Sequence, residues 1–438
     1  MILAQGLDNV FLGELVEVEK PWAMDSRPTC AVVGGGVAGI VAAHLLQRRY
    51  QVDLLEGQSR LGGHTHTFEI PSGDDAGVGV DTGFIVFNRE TYPLFQRFLQ
   101  ELAVAKQPSD MSFGYHCEKT GWGYGGHSLN TFFGQRDKLF NPDFWRFAAD
   151  LARFNSSSLR RLEAGTVTGT LRDYLRGYTQ TFIRHYILPL GSSLWSAPLA
   201  RILDFPALTY LRFFANHGLL RVVQRPDWYT VTGGSQRYIT AFLDRFQGRV
   251  ERSSPVHRVT RRCDDFELEV AGQTRHYQRV VLATHADIAL GQLSQPTAQQ
   301  KRALESWRYL PNRTVLHHDT RVLSPNPRLR ASWNYRRCQG SDQWATLTYD
   351  MNRLQNLNTR RRYLVTLNPQ QEIDPAQVLG EWTYRHPQFD QHSEASQALL
   401  PQLNDGRIAF CGSYHRFGFH EDAVMSAAAA AASLGCPW

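Results

Sequence analysis

The sequence predicts an α/β fold: a Rossmann-like domain with a parallel sheet, joined to a discontinuous α+β domain. Three observations lead to this class. Residues 30–55 show an apolar run, a helical apolar pattern and a second apolar run, which is the pattern of a βαβ unit. Glycines follow the first run at the spacing G-x-G-x-x-G. Strand-like apolar runs return late in the chain, at 280–284 and 407–411, after long segments of different character.

Each position of the glycine-rich turn has a physical role. Gly34 allows the tight turn out of the strand, and Gly36 lets the backbone approach a pyrophosphate at the positive helix N-terminus. Gly39 lets the helix pack closely, and Glu56, at the tip of the second strand, is placed to bind a ribose hydroxyl. The alternative is a helix on a strand with small residues for fit only. The complete order of strand, glycines, helix, strand and acid favours nucleotide binding.

The composition is typical of a globular enzyme. The 438 residues suffice for two or three domains, with 42% hydrophobic and 20% charged residues. The net charge of +6 is small, and we interpret most of it as charge on solvent-exposed surface. It also permits an anionic partner such as a phospholipid surface. Only five of the 47 basic residues are lysines; we favour compositional bias over phosphate or carboxylate binding as the reason. We expect no nucleic-acid partner.

Neither the cysteines nor the N-terminus indicate export or a membrane span. The six cysteines are scattered without a C-x-x-C pair, so we expect no disulfide framework and no metal site. No apolar run reaches the ~18 residues of a span, and residues 1–27 lack the pattern of a signal peptide. We predict a cytoplasmic protein, with peripheral contact to the inner membrane permitted. Residues 1–27 are predicted to be an extension, and Met24 is an alternative start.

Two further glycine turns follow the second strand. Gly62, Gly63 and His64 form a turn whose backbone N–H groups can face a phosphate. Gly83 lies in another tight turn, and residues 91–106 then have the spacing of an amphipathic helix.

The order G-x-G-x-x-G, acid at plus twenty, x-G-G-[R/H] and D-x-G resembles the flavin-dependent amine oxidoreductase superfamily. That group includes monoamine oxidases, protoporphyrinogen oxidases and phytoene-type desaturases. The resemblance implies a glutathione-reductase-type domain that binds FAD. The superfamily usually has arginine where this chain has His64, which is a weaker phosphate anchor when neutral. Phrases such as VDTGFIVFN and GFHED resemble a bacterial FAD/NAD(P)-binding subgroup often encoded beside cyclopropane-fatty-acid-synthase-like methyltransferases.

The resemblance assigns further cofactor contacts. It places Val256 on the strand whose backbone contacts the adenine, and Ala283 on the strand that ends near the pyrophosphate. It places Gly412 by the ribityl phosphate and points the last helix at the flavin C2 carbonyl, where reduction builds up negative charge. The expected cofactor-binding residues are Gly34, Gly36, Val37, Ala38, Gly39, Glu56, Gly62, Gly63, His64, Gly83, Val256, Ala283, Gly412, Asp422, Ala423 and Val424.

The segments outside this resemblance suggest a second domain. Residues 96–225 look helical and aromatic, and residues 308–367 contain strand-like runs. We predict an N-terminal extension (1–27), a FAD-binding domain (28–95, 226–295 and 400–438) and a substrate domain (96–225 and 296–399).

One feature of the family is missing from this chain. The amine oxidases of the superfamily hold a lysine near flavin N5, on the strand after the one that resembles 280–284. Here Asn312, Arg313 or Thr314 takes that place, and Lys301 lies in a polar run typical of a surface helix. This counts against ordinary amine oxidation and is neutral toward desaturation. We assign no catalytic residue.

Several other residues have two interpretations. His415 and His420 are either surface histidines or partners in proton exchange with the flavin. The segment 208–223 is either a buried helix, which we favour, or a helix that docks on a membrane or lines a tunnel. Four aromatic residues are either core residues, the favoured interpretation, or neighbours of the flavin: Tyr414, Phe417, Phe419 and Trp333.

We predict an enzyme, a FAD-dependent oxidoreductase that removes hydride from a C–H bond. Its substrate is a small molecule or lipid, more narrowly the acyl chain of a modified fatty acid or phospholipid, which is desaturated or otherwise oxidised. Oxygen or a quinone reoxidises the flavin. One alternative is a flavin amine or amino-acid oxidase. Another is a flavin-binding partner of a lipid methyltransferase, without turnover of its own.

Overall fold

The fold is described here from a computed structural model over residues 26–221, 226–338 and 346–438. The strands are β1 Thr29–Val33, β2 Gln51–Leu55, β3 Thr67–Glu69, β4 Gly79–Asp81, β5 Phe87–Asn88, β6 Lys106–Pro108, β7 Phe113–Cys117, β8 Gly123–Gly125, β9 Trp228–Val231, β10 Arg249–Glu251, β11 Val256–Arg261, β12 Phe266–Val270, β13 Gln273–Tyr277, β14 Arg279–Leu282, β15 Arg308–His317, β16 Trp333–Arg337, β17 Thr346–Asp350, β18 Leu364–Leu367, β19 Val378–Gln388 and β20 Ile408–Phe410. The helices are α1 Val37–Leu46, α2 Pro93–Glu101, α3 Leu129–Phe132, α4 Pro142–Glu163, α5 Leu171–Tyr174, α6 Gln180–Phe182, α7 Leu188–Trp195, α8 Leu199–Ile202, α9 Ala207–Asn216, α10 Gln236–Leu243, α11 Ala286–Gln292, α12 Ala298–Leu304, α13 Met351–Leu354, α14 Gln391–Gln397 and α15 His420–Ser433.

A parallel sheet carries the glycine-rich turn. Five strands pair in the order β10-β2-β1-β14-β20, and every neighbouring pair is parallel. From Cys30 onward β1 is buried, as expected for a central strand of a sheet covered on both faces. Val33 pairs with Leu55 on one side and Leu282 on the other, so three strands end at one edge of the sheet. Ligands of open α/β sheets bind at this edge.

Helices α1 and α15 pack against each other beside this sheet. Nearly every residue of α1 is buried, and alanines of α15 (Ala427, Ala430 and Ala431) belong to the same apolar cluster. Small side chains let the two helix backbones approach closely. The Ala-rich run of the sequence therefore has a packing role.

A seven-stranded mixed sheet forms the other half of the molecule. Its strands pair in the order β19-β15-β18-β17-β16-β7-β8, and β16 and β7 form its parallel pair. Helices α4, α6, α7 and α9 belong with β7, β8 and β16 to one large apolar cluster that is rich in aromatic residues. Three smaller sheets complete the described strands: β11-β12-β13, β3-β4 and β5-β9-β6.

The strands β6, β7 and β8 lie within residues 96–225, which the sequence predicted to be helical. The prediction was wrong for this stretch because β7 pairs with β16, more than two hundred residues later, and no local pattern reports such a partner. The expected helix 91–106 is α2, which ends at Glu101. The expected helix 208–223 is α9, which ends at Asn216; residues 222 and 223 lie outside the described residues, as do residues 1–25.

The division into a FAD-binding domain and a substrate domain remains a proposal. Within the described ranges, none of the helices combines the length and the apolar character that crossing a bilayer requires.

Candidate functional site

A cavity of about 1140 Å³ lies between the carboxyl edge of the parallel sheet and the seven-stranded sheet. One end is lined by the turn after β1, and the other by side chains of α3, α4, α7 and α9. We refer to these as the glycine end and the apolar end. Strand β19 and the residues that follow β14 line the region between them.

The glycine end is shaped by missing side chains. A Cβ atom on Gly39 would lie 1.8 Å from the carbonyl oxygen of Gly34, so only glycine lets α1 pack this closely on the turn. A Cβ on Gly36 would meet no atom within 4 Å, because Gly36 faces the open cavity. No side chain caps α1 at Gly36. The first turn of the helix therefore offers its N–H groups and positive dipole end to an anion.

The second glycine turn is held against the first. The N–H of Gly62 donates to the carbonyl of Gly35 at 2.8 Å, and φ is +115° at Gly62. Arg60 donates to the carbonyl oxygens of Gly63 at 2.8 Å and Thr65 at 3.1 Å. The turn thus keeps a conformation that residues with a Cβ rarely adopt.

Glu56 lies at the tip of β2, as predicted. Its Oε2 accepts a hydrogen bond from the N–H of Gly35 at 2.6 Å, and its Oε1 accepts one from the N–H of Gln58 at 2.8 Å. Backbone donors on both sides hold the carboxylate at the rim of the cavity, where a ribose hydroxyl could donate to it.

Most of the expected cofactor residues line this cavity. They are Gly34, Gly36, Val37, Ala38, Glu56, Gly62, Gly63, His64, Gly83, Val256, Ala283, Gly412 and Ala423. Gly39, Asp422 and Val424 lie outside its lining. Gly39 packs on Gly34, and Val424 is buried in the core. The carboxylate of Asp422 accepts hydrogen bonds from the N–H groups of Phe417 and Phe419, so it shapes the loop before α15.

Three histidines meet in the middle of the cavity. The ring of His64 lies 4.9 Å from that of His386 and 6.3 Å from that of His285. Burial, and then the charge of Arg60, lowers the pKa of His64 to about 4. Burial and neighbouring histidines lower the pKa of His285 to about 3 and that of His386 well below its usual range. All three imidazoles are therefore neutral at pH 7, and His64 offers no charge where the family has arginine.

The three candidates for the lysine position have different surroundings. Arg313 is exposed and forms two 2.7 Å contacts with Glu381. Asn312 is buried and hydrogen-bonded, whereas Thr314 is buried and lines the cavity. None of the lysines that the structure describes lines the cavity. Lys301 lies exposed on α12, as predicted.

Several polar atoms of the cavity wall have no partner within the described part of the chain. They are Asn155 Oδ1, Thr314 Oγ1, Trp333 Nε1, Tyr414 OH and His285 Nδ1, and all are buried. A buried polar group left unpaired costs about 1–3 kcal/mol, so these atoms indicate a ligand rich in hydrogen-bonding groups. The ring system and ribityl chain of FAD are such a ligand. Together with the open space at Gly36, they fit the cofactor that the sequence implies.

His420 is not a surface histidine. Its ring stacks on Phe84 with centroids 3.7 Å apart, and it lies 3.2 Å from the hydroxyl of Tyr238. Burial lowers the pKa of His420 to about 3 and that of His415 to about 4. Of the four aromatic candidates, Tyr414, Phe419 and Trp333 line the cavity.

The apolar end is a wide lobe between helices. Its walls include Leu129, Phe132, Ala148, Leu151, Tyr186, Leu190, Leu194 and Phe213. Tyr186 belongs to a π-helical segment, Ile183–Ile187, that joins α6 to α7. Of the described residues that line the cavity, Glu56 is the one that carries a carboxylate, and it lies at the opposite end. This lobe suits an apolar, uncharged group.

The sequence did not single out His386, Tyr384 or Asp81. His386 and Tyr384 reach the cavity only through the pairing of β19 with β15, which local patterns do not reveal. Asp81 could have been found from the sequence, because it is the first residue of the D-x-G motif. Its buried carboxylate accepts hydrogen bonds from Thr67 Oγ1 at 2.5 Å and from the N–H and hydroxyl of Ser235 at 2.9 and 2.7 Å. It fixes the turn that presents Gly83.

The family model of flavin containing amine oxidoreductases matches residues 37–332, which is more than half of the chain. No curated protein matches. Among solved structures, a protein named as a protoporphyrinogen oxidase from Exiguobacterium sp. 255-15 has a TM-score of 0.68 at 16% identity, covering 94% of this chain and 99% of that one. Wild-type putrescine oxidase bound to putrescine has a TM-score of 0.66 at 15% identity, covering 93% and 99%. A CLA-producing fatty acid isomerase from P. acnes has a TM-score of 0.62 at 13% identity, covering 92% and 98%.

At these identities the neighbours show the fold alone, and they confirm the α/β class predicted from the sequence. The family match also confirms FAD as the cofactor and flavin-dependent oxidation as the type of chemistry. The chain belongs to the flavin containing amine oxidoreductase family.

Proposed function

We propose that this oxidoreductase removes hydride from an acyl chain of a fatty acid or phospholipid and so desaturates or otherwise oxidises it. The observation that carries the proposal is the apolar end of the cavity, which continues directly from the cofactor cradle and lacks carboxylates among its described residues. In a desaturation, one carbon loses hydride and its neighbour loses a proton, and a carbon–carbon double bond forms.

The residues that would hold FAD follow from the geometry of the cavity. The turn at Gly36 and the turn at Gly62 and Gly63 would bind the pyrophosphate, and Glu56 would bind the adenine ribose. Val256, Ala283 and the other lining residues named above complete the proposed set. Bound FAD supplies the acceptor for hydride, and the protein supplies orientation and electrostatics.

An apolar substrate fits the charges of this site better than an amine does. A protonated amine needs a carboxylate or a similar partner once water is excluded, because burying an unpaired charge is costly. Glu56 is far from the apolar end and already accepts two backbone hydrogen bonds. The wall there is mostly aliphatic and aromatic, and its polar side chains, Asn155 of α4 and Ser193 of α7, are uncharged. The missing lysine points in the same direction.

The mouth of the apolar end carries exposed apolar side chains. Leu129 lines the cavity yet is 73% exposed, and Phe140 and Trp145 nearby are 92% and 52% exposed. The ring of Trp145 lies 6.1 Å from Phe133 on the same surface. Such a patch is unusual on a soluble surface and is typical of contact with a lipid bilayer. We propose that it docks on the membrane that holds the substrate.

Basic residues beside this patch favour a lipid surface that carries negative charge. Lys138 and Arg146 pair with Asp137 and Asp143, so Arg136 leaves these five residues with a net charge of +1. Interfacial binding combines buried apolar area with attraction to anionic headgroups.

Two observations favour the amine oxidase alternative: the match to the amine oxidoreductase family and the fold shared with putrescine oxidase. The test is anaerobic absorption spectroscopy of the purified flavoprotein with phospholipid or fatty-acid micelles and, separately, with an amine panel. We expect lipid to bleach the flavin band. Bleaching by amines and not by lipids would replace the proposal with the amine oxidase. If neither lipids nor amines bleach the flavin band while a methyltransferase partner is active, the chain is better explained as a flavin-binding partner of that enzyme without turnover of its own.

Two neighbouring alanines of α4 allow a matched test of the lobe. Ala148 lines the apolar end, whereas Ala149 is exposed and does not. We expect Ala148→Trp to slow flavin reduction by lipid at least about tenfold, since the indole fills the lobe, and Ala149→Trp to leave it unchanged. Equal rates in both variants would mean that the acyl chain binds elsewhere.

The docking patch is tested by flotation with vesicles that contain phosphatidylglycerol. We expect Phe140→Glu to weaken vesicle binding. Gln295→Glu adds the same charge at an exposed loop position away from the patch and should bind as wild type does. Equal binding by all three proteins would contradict the proposed surface.

A further inference from the structure

A chain of hydrogen bonds crosses from Asn368, which directly follows β18, through β15 to His386 on β19. The backbone N–H of Arg313 donates to Asn368 Oδ1 at 3.1 Å, and Asn368 Nδ2 donates to Asn312 Oδ1 at 2.7 Å. Asn312 Nδ2 then donates to the carbonyl oxygen of Leu310 at 3.1 Å and lies 2.9 Å from His386 Nδ1. Asn312 is completely buried.

The direction of this chain is set by the backbone at both ends. A backbone N–H can only donate, so Arg313 makes the Asn368 oxygen the acceptor and turns its NH₂ toward Asn312. A backbone carbonyl can only accept, so Leu310 requires the NH₂ of Asn312 on its side. Both amides are thereby fixed in one orientation. Asn312 must then donate to His386 Nδ1, and the remaining proton of the neutral ring sits on Nε2.

We propose that His386 is a neutral imidazole that presents its Nε2–H to a negatively charged acceptor of bound FAD, with Asn312 and Asn368 as positioning residues. His386 lines the cavity, and Nε2 has no hydrogen-bond partner among the described residues. The proposal rests on FAD occupying the cavity as set out above. It is independent of the nature of the oxidised substrate.

The surroundings of His386 keep the ring neutral. Burial is the main cause of its lowered pKa, and the imidazoles of His64 and His285 add to it. A proton on Nδ1 would also face the NH₂ of Asn312, which is a second donor. The nearest charged side chain on the same strand, Arg385, lies 3.4 Å from Asp287. A neutral imidazole held in a buried site is an effective fixed donor to developing negative charge, because it needs no reorganisation.

This arrangement gives a role to the position that lacks the lysine of the family. Asn312, one of the three candidates for that position, acts on His386 and not on the cavity directly. The acceptor of the Nε2–H hydrogen bond is a negatively charged group, and two parts of FAD could supply it. A pyrophosphate oxygen is one, since His386 lies 4.9 Å from His64 beside the glycine turn. The flavin ring, which gains negative charge on reduction, is the other.

The tautomer can be read directly by NMR. In protein with ¹⁵N-labelled histidine, we expect His386 to show a protonated Nε2 and an unprotonated Nδ1, unchanged between pH 5 and 8. Asn312→Asp replaces the donor by an acceptor, so the proton should move to Nδ1 and the pKa of His386 should rise. A wild-type ring with the proton on Nδ1, or an imidazolium at pH 7, would overturn the proposal.

The acceptor is identified with His386→Leu, and exposed His392→Leu serves as the matched control. If the acceptor is the flavin ring, His386→Leu should lower the two-electron midpoint potential of the flavin. A tenfold loss in the preference of the protein for reduced over oxidised flavin corresponds to about 30 mV. A phosphate acceptor predicts tenfold weaker FAD binding in both oxidation states and an unchanged potential. His386→Gln, which keeps an N–H donor, should restore part of either effect. If neither affinity nor potential changes in His386→Leu, His386 does not donate to the cofactor.

These readouts separate this inference from the proposed function. A protein that binds FAD but is not reduced by lipid would contradict the acyl substrate and leave the His386 result intact.

Discussion

The glycine end of the cavity and the histidine-lined middle are built in opposite ways. The glycine end is formed by residues between 34 and 63, and its parts are neighbours in sequence. His64, His285 and His386 come together from segments more than three hundred residues apart at the extremes. The first region works through backbone groups and the absence of side chains. The second works through particular side-chain atoms and their protonation.

This difference predicts how each region responds to change. A side chain added at Gly36 occupies space that the ligand needs, and one added at Gly39 collides with the turn itself, so substitutions there should remove the cofactor. Substitutions in the middle should leave the cofactor bound and change affinity, potential or pH response. The following experiments probe this contrast, beginning with the largest expected effect.

Gly36→Val is the most severe test of the glycine end. The branched side chain would project into the open cavity, where no protein atom lies within 4 Å of a Cβ. We expect FAD content to fall at least about tenfold, which corresponds to a loss of ~1.4 kcal/mol in binding. Flavin absorbance per mole of purified protein measures it. The side chain of Gly291→Val also projects into open space, but Gly291 does not line the cavity, so this variant should keep full flavin content.

Asp81→Ala tests the buried carboxylate that holds the turn at Gly83. The change leaves Thr67 and Ser235 without their acceptor, and we expect a loss of about 3 kcal/mol in the free energy of unfolding. Urea titration measures the loss. Asp264→Ala, at an exposed position, should stay within ~0.5 kcal/mol of wild type. A similar loss in both variants would contradict the special role of Asp81.

The histidine-lined region should make the fold sensitive to acid. The pKa of His285 is lowered to about 3 by burial, His64 and Arg385, so its contribution to stability is present above its unfolded pKa of 6.5 and is lost as the pH falls. His285→Phe keeps the stacking on Tyr309, whose ring centroid is 4.1 Å away, but cannot be protonated. We expect wild type to lose stability relative to this variant between pH 6.5 and pH 4. Burial raises the pKa of Asp81 to about 6, so Asp81 makes the fold more stable as the pH falls, which opposes the effect of His285. Both proteins contain Asp81, so the difference in stability between them isolates the contribution of His285.

Arg313→Ala should have the smallest effect. Arg313 is one of the three candidates for the family lysine, but its guanidinium is exposed and paired with Glu381. We expect a loss of no more than ~1 kcal/mol in stability and no change in flavin reduction. Thr314→Val is the informative counterpart, because it removes a cavity-lining hydroxyl without changing the shape of the side chain. A slower flavin reduction in Arg313→Ala than in Thr314→Val would mean that the arginine reaches the site.

Local patterns of the chain were sufficient to predict the class of fold and most of the glycine end. The G-x-G-x-x-G spacing, the acid at Glu56 and the turn at Gly62 and Gly63 each depend on neighbouring residues, and the structure places them on one cavity. The order of motifs was also sufficient to identify the family and its cofactor, which the family match confirms.

Tertiary structure alone decided the rest. The sequence did not predict the strands β7 and β8, which lie in an apparently helical segment, because β7 pairs with a strand far away in the sequence. The neutral state of the cavity histidines depends on burial, and the orientation of His386 depends on two asparagines that β15 and β18 bring within 2.7 Å of each other. Sequence spacing reports the geometry of a turn or helix, since those contacts are local. Burial, long-range pairing and the direction of a hydrogen-bond chain exist only once the sheets are assembled.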